Sequence, residues 1–300
     1  MKLRKKALIP AIAMVLASVI ALSGVTYAWF TLSEEATVGE LDVNVAVADG
    51  IQVSLDAYTW KNVITADDIK AAAGGSLENT YSDGIVCYPL DNNMLPTSSA
   101  GNVTGALMDI FDGGYAADQG LYSQKISESR TTGGNIVAFD LFIQSSSPQK
   151  IKLVFGDSGK ATYVSSSTTN KTATRVAFLP FGVAATESAA QKLSAIQTAD
   201  GKAIIWEPHA TTRANNTAGS VDTTKAFKGA FGAMDKGVTD YASYLEEVTT
   251  VKTGDNVTFQ LEAGINKIRV YVWIEGQDID CINTISGGSF NLNLYFKITE

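Results

Sequence analysis

Hydrophobic and polar residues alternate most regularly near the two ends of this chain. In LDVNVAV, Leu41, Val43, Val45 and Val47 alternate with Asp42, Asn44 and Ala46, and Ile51, Val53 and Leu55 continue the pattern in IQVSLDA. A period of two with one apolar face predicts strands that rest one side on a core. The phase also predicts a pairing. A two-residue turn at Asp49-Gly50 would set inward Val45 opposite outward Ser54, whereas a three-residue loop over 48–50 pairs Val47 with Ile51, Val45 with Val53 and Val43 with Leu55. A hairpin of the second kind is expected, with Gly50 in the left-handed position of a bulged turn.

Toward the other end, NVTFQLE alternates at Val257, Phe259 and Leu261, and NKIRVYVWIE at Ile268, Val270, Val272 and Ile274, with Tyr271 and Trp273 partly covering the opposite face. SFNLNLYFKIT alternates at Phe290, Leu292, Leu294, Phe296 and Ile298. All three read as antiparallel strands with one face on a core. Further strands are predicted at 136–143, 150–155, 174–181 and 202–206, separated by Ser, Thr, Asn and Gly runs that read as long surface loops. Short helices are predicted at Ala66–Ala73 and 187–196. Many short strands with few helices point to an all-β, antiparallel two-sheet sandwich. No repeat or Pro-rich linker divides it, so residues 41–300 are expected to form one domain with long loops.

The one long apolar run, residues 7–22, follows a basic start (Lys2, Arg4, Lys5, Lys6) and precedes a stretch of small residues. That order is the signature of a secretory signal peptide over residues 1–28, and the run is short for a spanning helix. Thr26 and Ala28 are spaced as in a cleavage site, which makes Trp29 the new N-terminus. Cleavage would remove four basic residues and no acidic one, leaving about 19 basic against 31 acidic side chains. Such a surface repels phosphates, so nucleic acid is not an expected partner. It favours solubility outside the cell, where the protein is expected to be secreted to the matrix or cell surface after a transient membrane stage.

An exported chain meets oxidising conditions, so Cys87 and Cys281 are expected to pair, the alternative being two buried thiols. A bridge there would close a loop of nearly 200 residues and be worth at most ~5 kcal/mol. Catalytic chemistry has little to build on. The one histidine, His209, has no supporting constellation for a triad or a zinc site. Ser147 and Lys150 followed by Lys252-Thr-Gly254 spell the motifs of penicillin-recognising enzymes, but IKLVF after Lys150 alternates as a strand where those enzymes need a helix. Glu275, Asp278 and Asp280 in EGQDIDC offer oxygen ligands to a calcium ion, or simply form a polar turn. The N-x-S/T triplets at Asn102, Asn170, Asn215 and Asn256 mark surface loops. No cofactor and no enzymatic activity are expected.

VTYAWFTLSEEATVGELDV, residues 25–43, superficially echoes a type IV pilin head, but here the apolar run precedes the cut rather than following it. Thr26, Ala28, Trp29 and Phe30, followed by ATVGELDV with Gly39, Leu41 and Asp42, resemble the processing region and first strand of the TasA and camelysin family of secreted bacterial matrix proteins. That match covers about twenty residues. VYVWIEGQDIDCINTISGGSFNLNLYFKI is similar to the end of related exported proteins of Gram-positive bacteria, while residues 60–250 resemble nothing nameable. The resemblance implies a jelly-roll sandwich, cleavage by a SipW-type signal peptidase and assembly into extracellular fibres. In such fibres the freed segment 29–40 of one subunit completes a sheet of the next, with Trp29, Phe30 and Leu32 at the interface. Expected partners are thus further copies of the same chain, the signal peptidase during export, and other matrix or cell-wall components. Camelysin is described as a metalloprotease, but no zinc motif is present to carry that role over. The rival expectation is a monomeric sandwich anchored by uncleaved residues 1–28 and displaying its loops to a glycan or protein.

Overall fold

A computed structural model describes residues 41–47, 50–74, 81, 84–88, 94–116, 120–126, 134–154, 163–166, 173–207, 225–227, 245–247, 252–253, 256–276, 281 and 288–299. The opening strands are β1 (Leu41–Val47), β2 (Gln52–Ser54), β3 (Val63–Ile64) and β4 (Val86–Cys87). They lead to the short strands β5 (Val103–Thr104) and β6 (Leu107–Met108), the ribbon β7 (Ile110–Ala116) and β8 (Gly120–Ile126), and then β9 (Ile136–Ser145), β10 (Gln149–Leu153), β11 (Tyr163–Ser166), β12 (Thr174–Ala184) and β13 (Ile204–Glu207). After β14 (Lys225–Phe227), β15 (Leu245–Glu247) and β16 (Lys252–Thr253) come β17 (Thr258–Leu261), β18 (Gly264–Ile274) and β19 (Phe290–Thr299). The helices are α1 (Ala66–Ala73) and α2 (Glu187–Gln191).

Two sheets carry the fold. The first runs β17-β10-β19-β1-β3, with β11 also on β19, and the second runs β16-β13-β12-β18-β9-β2, with β4 also on β9. Each of the main strands predicted from alternation is present, and the fold is all-β. Val43, Val45, Leu292, Leu294, Phe296 and Phe259 of the first sheet face Val137, Phe139, Leu141, Val176, Phe178 and Val270 of the second in a single buried cluster. Phe178 reaches across the layers to meet Phe259 and Phe296 edge to face, with ring centroids 5.4 and 6.1 Å away, an arrangement favoured by the ring quadrupoles.

The first hairpin is a correction. Gly50 does take a positive φ of 94°, but β1 and β2 are not partners. β1 lies parallel to β19, from Leu41↔Phe290 to Val47↔Phe296, and touches β3 at Val45↔Ile64, whereas β2 pairs with β9 in the opposite sheet. The chain therefore crosses the core between Val47 and Ile51. Both strands keep their apolar faces inward, since facing sheets share one interior, so alternation fixes the face and leaves the partner open. The β1–β19 ladder and the short β13–β16 contact are parallel, against the expectation of a wholly antiparallel fold.

α1 forms where predicted because its ends are satisfied locally. Thr65 Oγ1 accepts from Asp68 N–H at 3.3 Å, and Asp68 Oδ2 accepts from Thr65 N–H at 2.9 Å, which completes a capping box. Its buried side carries Ala66, Ile69, Ala72 and Ala73. The helix also guards the edge of the first sheet: Asn44 Oδ1 accepts from Ala66 N–H at 3.0 Å, and Lys70 Nζ meets Asp42 at 2.7 Å. α2 is shorter than the predicted 187–196, because after Gln191 the backbone turns to follow the second sheet, where Gln197 N–H donates to Pro180 O.

Candidate functional site

The outer face of the second sheet is where the described residues concentrate unusual chemistry. Residues whose neighbours in sequence point into the core point here: Ile136, Ala138, Asp140 and Phe142 from β9, and Lys267, Arg269, Tyr271 and Trp273 from β18. Ordinarily such a face is wet and polar. Here it is covered, and Ile136, Ala138, Leu179, Phe181, Tyr271 and Trp273 belong to a second buried cluster.

The cover is pinned by charge. Arg269 donates from Nε to Asp140 Oδ1 at 2.6 Å and from Nη2 to Oδ2 at 2.9 Å, and its Nη1 reaches the Ala106 carbonyl at 2.9 Å. Ala106 sits with Gly105 at the tip of the β5–β6 hairpin, both at positive φ (67° and 58°), as the two-residue turn of a twisted hairpin requires. Alanine pays for that conformation in strain, and the guanidinium holds it in place. Lys267 Nζ lies 3.4 Å from Asp140, donates to the carbonyls of Gln191 and Leu193 at 2.9 Å each, and stacks over Tyr81 and Phe181. The Tyr81 hydroxyl also donates to Asp140. Burial pushes the Asp140 carboxyl up, but the adjacent Arg269 and Lys267 charges and the donated hydrogen bonds outweigh it and hold the group below the usual carboxylate range. Burial likewise pulls Arg269 down, and Asp140 more than restores it.

Next to this network is a cavity of about 230 Å³. Ile85, Met108, Ile110, Ile136 and Tyr271 line it, and Leu107, 41% exposed, stands at its mouth. Tyr271 accepts a hydrogen bond from Met108 N–H at 3.2 Å, and burial pushes its phenol up to about 12. The rim is polar: Lys125 Nζ meets Asp109 Oδ1 at 2.5 Å, and Thr104 Oγ1 donates to Asp109 Oδ2 at 3.2 Å. The arrangement can hold a compact apolar group beneath one positive and one negative side chain. A smaller cavity of about 100 Å³ lies against Leu55 and Ile64. There the Asp56 carboxylate, buried yet held below its usual range by Thr59, Ser54 and Tyr58, is engaged by its own turn.

Several residues singled out from sequence fall elsewhere. Thr26, Ala28, Trp29, Phe30 and Leu32 lie outside the described residues, as do His209, Asn170, Asn215, Asp278 and Asp280. Cys87 and Cys281 are not bridged, correcting the expected disulfide: Cys87 is buried in the outer cluster and Cys281 in the inter-sheet core, so the two thiols occupy separate compartments. Glu275 is not a surface ligand. It is 3% exposed, and its Oε2 accepts from the Trp273 indole at 3.0 Å and from Ser99 N–H at 3.5 Å. Among the described residues no group of three His, Cys, Asp or Glu side chains is placed to hold a metal ion. Lys150 sits on β10, paired with Gln260 and Thr299, as the strand reading of IKLVF requires.

Asp140, Lys267 and Arg269 were missed by sequence reasoning. A signal was present, since IVAFDLFI is apolar on both faces, the mark of a strand covered on both sides.

No family model matches this chain, and neither a curated protein nor a solved structure is significantly similar to it.

Proposed function

We propose that the protein is a secreted structural protein of a bacterial surface or biofilm matrix, which polymerises into fibres through the segment freed by cleavage after Ala28. The supporting observation is the Trp29-Phe30 pair that cleavage after Ala28 would place at the chain start, twelve residues ahead of Leu41. From Leu41 to Val47 the described chain is seated between β19 and β3, with Val43 and Val45 fully buried. Two aromatic rings at a chain start are a large apolar surface to leave in water, and burial against a second copy removes it. A contact made by the start of one copy on the body of the next does not close on itself, so it propagates. The sequence carries 31 acidic against 23 basic residues, an excess that favours solubility outside the cell.

Two measurements test this reading. N-terminal sequencing of the exported protein should return Trp29, whereas a retained Met1 would favour an anchored monomer. Electron microscopy of the processed chain should show filaments, and deletion of residues 29–36 should leave a folded protein without them. Filaments unchanged by that deletion would overturn the proposal.

A further inference from the structure

We infer that the cavity under Leu107 is the receptor for the aromatic start, taking the Trp29 or Phe30 ring from a second copy of the chain. This rests on the reading above and names the surface on which it would act. Size comes first. An apolar cavity of ~150 Å³ accepts a benzene ring, and this one holds about 230 Å³, room for an indole. Its lining suits a ring: Ile110 and Ile136 are flat aliphatic walls, Met108 offers a thioether, and Tyr271 an aromatic face. An apolar pocket with a polar rim suits the anchoring ring of a binding hot spot.

Charge agrees with size. Cleavage after Ala28 leaves a protonated α-amine on Trp29, and Glu34 and Glu35 follow within a few residues. The rim carries the Lys125–Asp109 ion pair, and Lys125, with 40% of its side chain exposed, offers a positive charge to the Glu34 and Glu35 carboxylates on the chain leaving the cavity. Reach is sufficient. Residues 29–40, twelve in all, precede β1 and span up to about 40 Å when extended, several times the ~10 Å between packed sheets. The ring can therefore leave its own sandwich and enter a neighbour's cavity.

The test uses two variants of the processed chain, residues 29–300. Leu107→Glu puts a charge at the mouth and spoils the receptor, and since Leu107 is exposed the fold should survive, as circular dichroism checks. A second variant, Trp29→Ser with Phe30→Ser, keeps the receptor and loses the rings. Each alone should remain monomeric in analytical ultracentrifugation, while a one-to-one mixture should form heterodimers, the first donating to the second. Filaments from folded Leu107→Glu protein, or no heterodimer in the mixture, would overturn the assignment. So would a Trp29 fluorescence change on Leu107→Glu that persists at nanomolar concentration, because the ring would then occupy its own subunit's cavity. If the unsubstituted processed chain makes no filaments, the fibre reading itself fails, and that outcome is distinct from failure of the pocket alone.

Discussion

Asp140 on β9 and Arg269 on β18 face each other across the ladder and share two hydrogen bonds, 2.6 and 2.9 Å long, on the side of the sheet turned away from the main core. Lys267 stands 3.4 Å from the same carboxylate, so one buried anion serves two buried cations. Removing Asp140 therefore costs more than removing Arg269. Asp140→Asn strands both cations and should lower stability by about 3–5 kcal/mol, whereas Arg269→Met leaves a balanced Lys267–Asp140 pair and should cost less. Urea denaturation midpoints of the two variants check the order.

The same carboxylate makes the protein acid-sensitive. Its folded pKa lies below the unfolded value of ~3.9, so its contribution is complete above that value and is lost as pH falls through the lower folded pKa. Thermal melts from pH 6 downward should show stability falling most steeply below about pH 4. In Asp140→Asn part of that slope should be missing.

Gly264 opens β18 at φ +128°, and a Cβ there would stand 2.7 Å from the Ala184 carbonyl oxygen. Gly264→Ala meets both a backbone clash and a conformation that L side chains rarely adopt. It should destabilise the fold by about 1–3 kcal/mol. A melting temperature equal to the unsubstituted protein's would contradict this.

Cys87 and Cys281 are both buried, at 0% and 1% exposure, in separate clusters. Intact mass under non-reducing conditions should match two thiols, and iodoacetamide should modify them only after denaturant is added. Reducing agent should leave the melting temperature unchanged.

How far the chain could be read follows from what alternation encodes. The strand at 290–299 was legible because inward apolar positions recur every second residue, and those expected at 136–143 and 174–181 because apolar runs there are bounded by polar loops. So was α1, from the run ADDIKAAA, although its capping box at Thr65 and Asp68 was seen only in the structure. Partner choice was not legible. Val45 and Val53 share a phase whether they sit side by side in one sheet or on opposite walls of a core, and here they belong to opposite sheets. The outer layer was half visible: Tyr271 and Trp273 on the polar face of β18 announced a cover, but Lys267 and Arg269 on that face read as solvated. Their burial depends on the opposing Asp140 and on the carbonyls of Ala106, Gln191 and Leu193, partners far away in sequence. The Leu107 cavity depends on two hairpins folding over a sheet formed by later residues, and no local pattern carries that.

The parallel ladder between β1 and β19 sets a timetable for the molecule. Seven residues near the beginning can acquire their main neighbour only when positions 290–296 are in place. A ribosome, which delivers the chain from its head, thus releases β1 without its mate, and the first sheet can close only once the tail arrives. Such late closure makes the N-terminal strand wait on the last residues of the chain before the fold is complete.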